Sequence, residues 1–424
     1  MAVTTTATLT SAMQTYYDNR FLVYFMEKIV VMDQGQKRPI PQNAGKTIDF
    51  FRYHPYALVT ASGTEGSVGT EVATIAMSFT ATIAVWKNYT KVSEFLQLTS
   101  RDRNLENIVD LMAQNAAESL DWQTQREIAL YGATYIRGDC NSTYQFEFTA
   151  GGTPASASTT AIPSAVLDAY CATDNDLIGN VVTFLRGYNY GQARVVSDYT
   201  ATLGILIWET AMPETFRSPG LDLAMSTTGG KEVIAWLCDF RDNSIWSLKP
   251  GSLVQGFQFR AVTKAVELLE KANAPKFADG MYHGVIDPIC KRQLLSDSSV
   301  LLYMQSSRPA KLEKNQIGEI AGVQWYLNTM PMRLEDEHGS SVALANGTFI
   351  NKSAGKYYVT WIFGKNAFGV VELSGRRKKI IVKTPGPHSL SVPTDEYSTV
   401  GWKAYWICKA LNATYVVGII TYQA

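Results

Sequence analysis

From Val72 to Lys87 the odd positions read Ala73, Ile75, Met77, Phe79, Ala81, Ile83 and Val85, while the even positions are mostly Thr, Ser and Ala. Sustained alternation with period two marks a β-strand with one apolar face. At about 3.3 Å per residue such a strand reaches roughly 50 Å, well beyond the five or six residues of an ordinary globular strand. It must project from the domain that carries it. Upstream, Lys46–Val59 (KTIDFFRYHPYALV) is a second extended, aromatic-rich run, and Thr60–Glu71 between the two (TASGTEGSVGTE) carries only Val68 as a larger aliphatic. Together they predict a long two-stranded ribbon with a small-residue tip. An isolated ribbon has an apolar face and nothing to cover it. A neighbouring subunit is the most economical cover, which makes Ile75, Met77, Phe79, Ile83 and Val85 the candidate inter-subunit residues. The plainer alternative is an ordinary α+β domain with a generous hairpin.

Immediately after the ribbon, apolar residues recur at Leu105, Ile108, Val109, Met112, Ala116, Leu120, Ile128 and Tyr131, one face of a helix over residues 104–133. A chain of 424 residues is too large for one compact core. With 46% hydrophobic and 18% charged residues it buries substantial cores and is not disordered. Lys plus Arg (38) equals Asp plus Glu (38), so no global field steers the chain to nucleic acid or anionic membrane. Low charge with 22 Tyr, 17 Phe and 9 Trp suits a surface covered by copies of itself.

Five cysteines (Cys140, Cys171, Cys238, Cys290, Cys408) stand apart from one another, without zinc spacing, and fit free thiols in a reducing compartment. The start MAVTTTATLT has no basic n-region, and Glu27 and Lys28 break the apolar run Phe21–Met32. Neither a signal peptide nor a membrane span is expected.

In chain order the sequence divides into an arm and helix (1–34), the ribbon (35–95), the long helix (96–138), a β-rich insertion (139–230), a mixed α/β lobe (231–374) and a closing segment (375–424). The helix of the first segment is expected to continue toward Met32 and stop at Gly35. In the insertion, short β-type runs at Val181–Leu185, Ala193–Val196 and Leu203–Trp208 are punctuated by glycines. The lobe is expected to hold a helix over Leu253–Ala272 capped by Ser252, a strand Met281–Ile286, a helix near Ile289–Leu295, and strands at Ile320–Leu327, Tyr357–Phe363 and, after it, Lys378–Thr384. An apolar segment Val400–Leu411 and a strand Tyr415–Thr421 close the chain.

Catalytic and metal chemistry finds little to stand on. The four histidines (His54, His283, His338, His388) lie in different contexts. A Cys290/His283 dyad with Asp287 is conceivable, but packing and turn roles are the better reading. The glycines of GTEGSVG lack the strand-to-helix setting of a dinucleotide loop. Glu335, Asp336 and Glu337 read as a solvated loop, so no catalytic, cofactor or metal residue is assigned. The basic run Arg376, Arg377, Lys378 and Lys379 is a candidate for non-specific contact with nucleic-acid backbone, weighed against a solvated strand start because no aromatic interleaves it.

The order of segments, with QKRPIPQNAGKTIDFFRY before the ribbon, YYVTWIFGKNAFGVVEL near residue 357 and DEYSTVGWKAYWICKALNATYVVGI at the end, resembles tailed-phage major capsid proteins of the Hong Kong 97-type fold, notably those of the N-four-like coliphage group. The resemblance covers residues 15–135 and 250–424; residues 139–230 depart from it. It implies an α+β, HK97-like capsid fold with an N-terminal arm, an extended loop (Lys46–Lys87), a spine helix, an axial α/β domain and an inserted small all-β domain. The function it implies is a non-enzymatic virion shell subunit, assembled in the host cytoplasm into pentamers and hexamers around double-stranded DNA. Its implied partners are itself, a portal, a separate scaffolding protein, a decoration protein and the packaged DNA, with no membrane and no cofactor. Competing readings are a tail-tube or fibre subunit, suggested by the insertion, and an enzyme with a lid-like ribbon.

Overall fold

The computed structural model describes residues 17, 19–25, 29–53, 56, 65–66, 74, 76–93, 95–96, 104–138, 140, 145–150, 161–171, 174, 177, 180–185, 189–208, 233–238, 256–298, 300, 316–331, 343–344, 347–348, 356–374, 379–383 and 397–423. They fall into two compact units: Met1–Ile48, Ala81–Gln125 and Gly369–Cys408 belong to the first, and Asp49–Thr80, Arg126–Phe368 and Lys409–Ala424 to the second.

In the first unit, helical turns over residues 19–25 bury Phe21 and Phe25, whose rings stack at 5.5 Å. Arg20 fixes them by donating to both carboxylate oxygens of Asp110 at 2.6 Å and to Glu106 at 2.8 Å, a two-pronged charge-assisted contact. The helix does not run on to Met32. Val30 is outside it, and a separate 3-10 turn, Met32–Gln34, ends at Gly35. After β1 (Gln36–Lys37) come β2 (Thr47–Tyr53) and β3 (Ala76–Thr82), which pair only with each other, and β4 (Ala84–Ser93). The single long strand expected over Val72–Lys87 is thus broken at Ile83, whose N–H donates to the Lys46 carbonyl at 2.9 Å.

Helix α1 (Asn104–Tyr131) buries Val109, Ala113, Ala116, Ala117 and Leu120 along one stripe. The small alanines let it sit low on a sheet.

The second unit takes most of β2 and β3 through Asp49–Thr80, and then β5 (Thr134–Arg137) and the strands that follow it. There β6 (Gln145–Ala150), β8 (Val181–Phe184), β9 (Ala193–Val195) and β12 (Val233–Cys238) form a sheet in the order β6-β12-β8-β9. A second sheet joins β7 (Ala161–Pro163), β10 (Asp198–Thr200) and β11 (Ile205–Ile207), with α2 (Ala165–Tyr170) beside them. Phe148, Leu167, Phe184, Tyr199, Leu206 and Trp208 form the shared core. Strand β12 pairs residue for residue with β6, from Val233↔Ala150 to Cys238↔Gln145.

The lobe packs α3 (Phe259–Lys271) and α4 (Pro288–Ser296) on a six-stranded sheet. The sheet contains β13 (Tyr282–Ile286), β14 (Gln316–Ile320), β15 (Val323–Leu327), β18 (Lys356–Phe363) and β22 (Val416–Gln423), in the order β14-β15-β13-β18-β22-β5. Helix α3 starts at Phe259, later than expected from sequence, with Gln258 rather than Ser252 at its N-cap. Asp287 caps α4 by accepting from Ile289 N at 2.8 Å, with Pro288 at the first helical position. The expected strand Ile320–Leu327 is a hairpin: Ala321 (φ 55°) and Gly322 (φ 73°) turn the chain between β14 and β15, the positive-φ pair that tight hairpins need. A small hairpin of β16 (Ala343–Leu344) and β17 (Gly347–Thr348) stands apart.

The first unit is completed by β19 (Phe368–Glu372), β20 (Lys379–Lys383) and the 14-residue β21 (Tyr397–Ala410). Strand β21 is the hub, with β4 antiparallel along one edge and β20 antiparallel along the other, and β19 carries β1 in parallel. One face of this sheet meets α1, where Asn115 Oδ1 accepts from Trp402 Nε1 and Asn88 Nδ2, each at 3.1 Å.

Candidate assembly surface

The ribbon strand β2 alternates exposed and covered residues: Phe50 is buried, while Phe51 and Tyr53 on the opposite face are 60% and 66% exposed. Tyr56 beyond it is 61% exposed, and its hydroxyl shares a hydrogen bond of 2.5 Å with Thr74 Oγ1. Across the ribbon, Thr80 Oγ1 donates to Asp49 Oδ1 at 2.6 Å. An exposed aromatic strip on a strand pair that, among the described residues, bonds to no further strand is the kind of surface that another chain covers.

The inner face of the ribbon root is held by Arg52. Its guanidinium donates to the Leu411 carbonyl at 3.1 Å and to the Tyr190 carbonyl, and lies 5.3 Å from the Phe79 ring and 5.6 Å from the Tyr190 ring. Burial pulls its pKa down to about 10, against the opposing influence of Tyr190 and Tyr415, so it remains a cation at neutral pH. Gly191, at φ 74°, leaves the room this cation uses; a Cβ there would collide with the Arg52 guanidinium and Asn412.

No family model and no curated protein matches the chain. Solved structures do resemble it. The capsid of the cyanophage P-SCSP1u aligns over 93% of this chain and 89% of its own, at 13% identity and a TM-score of 0.48. The capsid of Ralstonia phage GP4 aligns over 95% and 91%, at 13% identity and 0.47. The capsid of cyanophage Pam1 aligns over 94% and 91%, at 12% identity and 0.43. The chain is similar to phage capsids.

The sequence-predicted contact residues that are described differ in their exposure. Phe79 is only 7% exposed, packed in its own unit beneath Arg52. It is therefore not open to a partner as the alternation alone implied. The physical reason is that alternation shows a face is covered but not by whom, and here the chain covers it. Ile83 is half-buried at the break between β3 and β4, and Val85, 53% exposed, points out of a different sheet. Ile75 and the side chain of Met77 lie outside the described residues, as do Arg376, Arg377 and Lys378. Lys379 is exposed at the start of β20. Sequence reasoning did not single out the exposed aromatics Phe51, Tyr53 and Tyr56. Their signal lay in KTIDFFRYHPYALV, whose aromatics fall on both faces of a strand and so cannot all be packed inward.

The Cys290/His283 pair is not assembled for catalysis. Cys290 Sγ meets Thr421 Oγ1 at 3.1 Å, and burial pushes its thiol up to about 11. His283 instead meets Asp279 at 2.8 Å and stacks on Phe277 at 3.8 Å. Among the described residues no group of three His, Cys, Asp or Glu side chains could hold a metal, and no helix is long and apolar enough to cross a membrane. One buried acid does stand out. Asp121 on α1 accepts the Met32 N–H at 2.9 Å, tying the segment after the first helix to the long one, and burial raises its pKa to about 6 against the N–H groups of Met32, Val30 and Val31 and the amide of Gln125.

Proposed function

We propose that this chain is the major capsid protein of a tailed phage, a non-enzymatic subunit with the HK97-like fold that self-assembles into pentamers and hexamers of an icosahedral head enclosing double-stranded DNA. The observation that carries the reading is the ribbon. It is a two-stranded sheet whose outer face exposes Phe51 and Tyr53, with Tyr56 exposed beyond them, while Phe50 and Phe79 on its inner face are buried. Such a surface gains by lying across another copy, and closed rings multiply the gain. In this reading α1 is the spine helix, the six-stranded lobe is the axial domain, and the sheets around β12 form an outward decoration. The masses it meets are copies of itself, a portal, a separate scaffolding protein, an accessory shell protein and packaged DNA, within the virion.

Negative-stain electron microscopy of the purified chain, with light scattering on the same sample, tests this. Shells or five- and six-fold rings are expected, and the double variant Phe51→Asp/Tyr53→Asp should remain folded but stay small. Tubes or trimers would move the assignment to a tail or fibre subunit, and a concentrated monomer would refute assembly altogether.

A further inference from the structure

We infer that the open face of the β4–β21–β20 sheet is a docking surface for the phosphate backbone of nucleic acid. In antiparallel pairs, residues directly opposite each other point to the same face. The register sets Lys379 opposite Lys403 and Lys403 opposite Lys87, a row of three lysines across three adjacent strands. Four residues along each outer strand, Lys383 and Lys91 flank Thr399 in a parallel row, about 13 Å from the first at ordinary strand rise. Between the rows stand Ile381, Gly401 and Tyr89, the last 65% exposed. Tyr405 lies beyond the first row, with Lys403 Nζ 4.7 Å from its ring, and Tyr397 lies beyond the second.

None of the three strands contains an aspartate or glutamate. Among the described residues no ion pair reaches any of these five lysines. Like charges directly opposite one another in a sheet oppose folding, so the face is built at a cost that an anionic partner relieves. The opposite face of the same sheet is filled by Trp402, Trp406, Val400 and Ile380, so the lysines are not simply what remained after a core was packed in both directions. The aromatic interleaving absent from the linear run Arg376–Lys379 is supplied here across strands some 300 positions apart in sequence. Protein–protein interfaces are depleted of lysine, whereas lysine ammonium groups with tyrosines among them are the ordinary means of holding a phosphodiester chain. The inference rests on the shell reading only for the identity of the nucleic acid, packaged duplex.

The test is fluorescence anisotropy of a labelled mixed-sequence DNA duplex with the full chain over a series of salt concentrations. Lys87→Gln/Lys379→Gln/Lys403→Gln is compared with a triple of equal charge loss elsewhere, Lys276→Gln/Lys291→Gln/Lys365→Gln, with circular dichroism confirming that both fold. Each phosphate-neutralising lysine contributes about 0.9 to the slope of log K against log salt, so the first triple should lower the slope by roughly 3 and weaken binding at least tenfold at about 0.1 M salt. The second triple should match the parent chain. No duplex binding by the parent, or equal loss in both triples, overturns the proposal. So does labelled polyglutamate binding as tightly as DNA with the same lysine dependence, which would assign the face to an acidic protein. Lysine-dependent binding by a chain that forms no shells would sink the shell reading alone, and shells without such binding would sink this one alone.

Discussion

The two principal sheets of this chain differ in how many faces they bury. In the six-stranded sheet of the second unit, β5 is buried at every position and β18 from Tyr358 to Phe363, with Trp361 against Tyr135 at 6.0 Å and Gly418 leaving space for both rings. In the sheet built on β21, burial alternates: Val400, Trp402, Ala404 and Trp406 are inside, while Thr399, Lys403 and Tyr405 are partly open. A sheet covered on both sides reads as an unbroken apolar run and serves as scaffold; one covered on a single side keeps a surface in reserve. The first should respond to mutation by unfolding, the second by losing contacts with other molecules.

The sharpest test of that contrast is Trp361→Ala, which should cost about 3–5 kcal/mol in denaturant unfolding of the second unit, as expected for removing a large, fully buried aromatic. A loss below 1 kcal/mol would break the comparison. Next is Asp121→Asn in the first unit. The Asp121 pKa is raised to about 6 from 3.8, so its contribution to stability is fully present below 3.8 and is lost as pH rises through about 6. The stability difference between parent and variant should therefore move by on the order of 3 kcal/mol in favour of the parent from pH 7 to pH 3.5; a pH-independent difference would remove Asp121 from the account. Arg52→Met should cost about 2 kcal/mol, because it strands the buried Leu411 and Tyr190 carbonyls, and limited proteolysis should then cut the ribbon faster. The smallest effect is expected at Tyr89→Ala, within about 0.5 kcal/mol. A loss comparable to that of Trp361→Ala would mean the open face is packed after all.

Much of the fold was legible wherever the pattern was local. The period of α1, the helix near Ile289–Leu295 that is α4 and the short β-runs between Val181 and Trp208 all follow from residues within one or two turns of each other. What escaped was set by distant partners. The partition of residues 76–93 into β3 and β4 depends on β4 finding β21 some 300 residues later, and the pairing of β12 depends on its returning to β6. Alternation identified the covered face of β3 but could not reveal that Phe79 lies under Arg52 of the same chain.

Strand β4 is bonded to β21 on one side, and among the described residues no strand lies along its other side. A bare strand edge invites endless strand-to-strand addition, which produces fibres. Two β4 edges approaching antiparallel would bring Lys87 and Lys91 of one against those of the other, so these ammonium groups oppose pairing of the edge with a twin. A chain stripped of those two charges should be judged by whether it forms filaments.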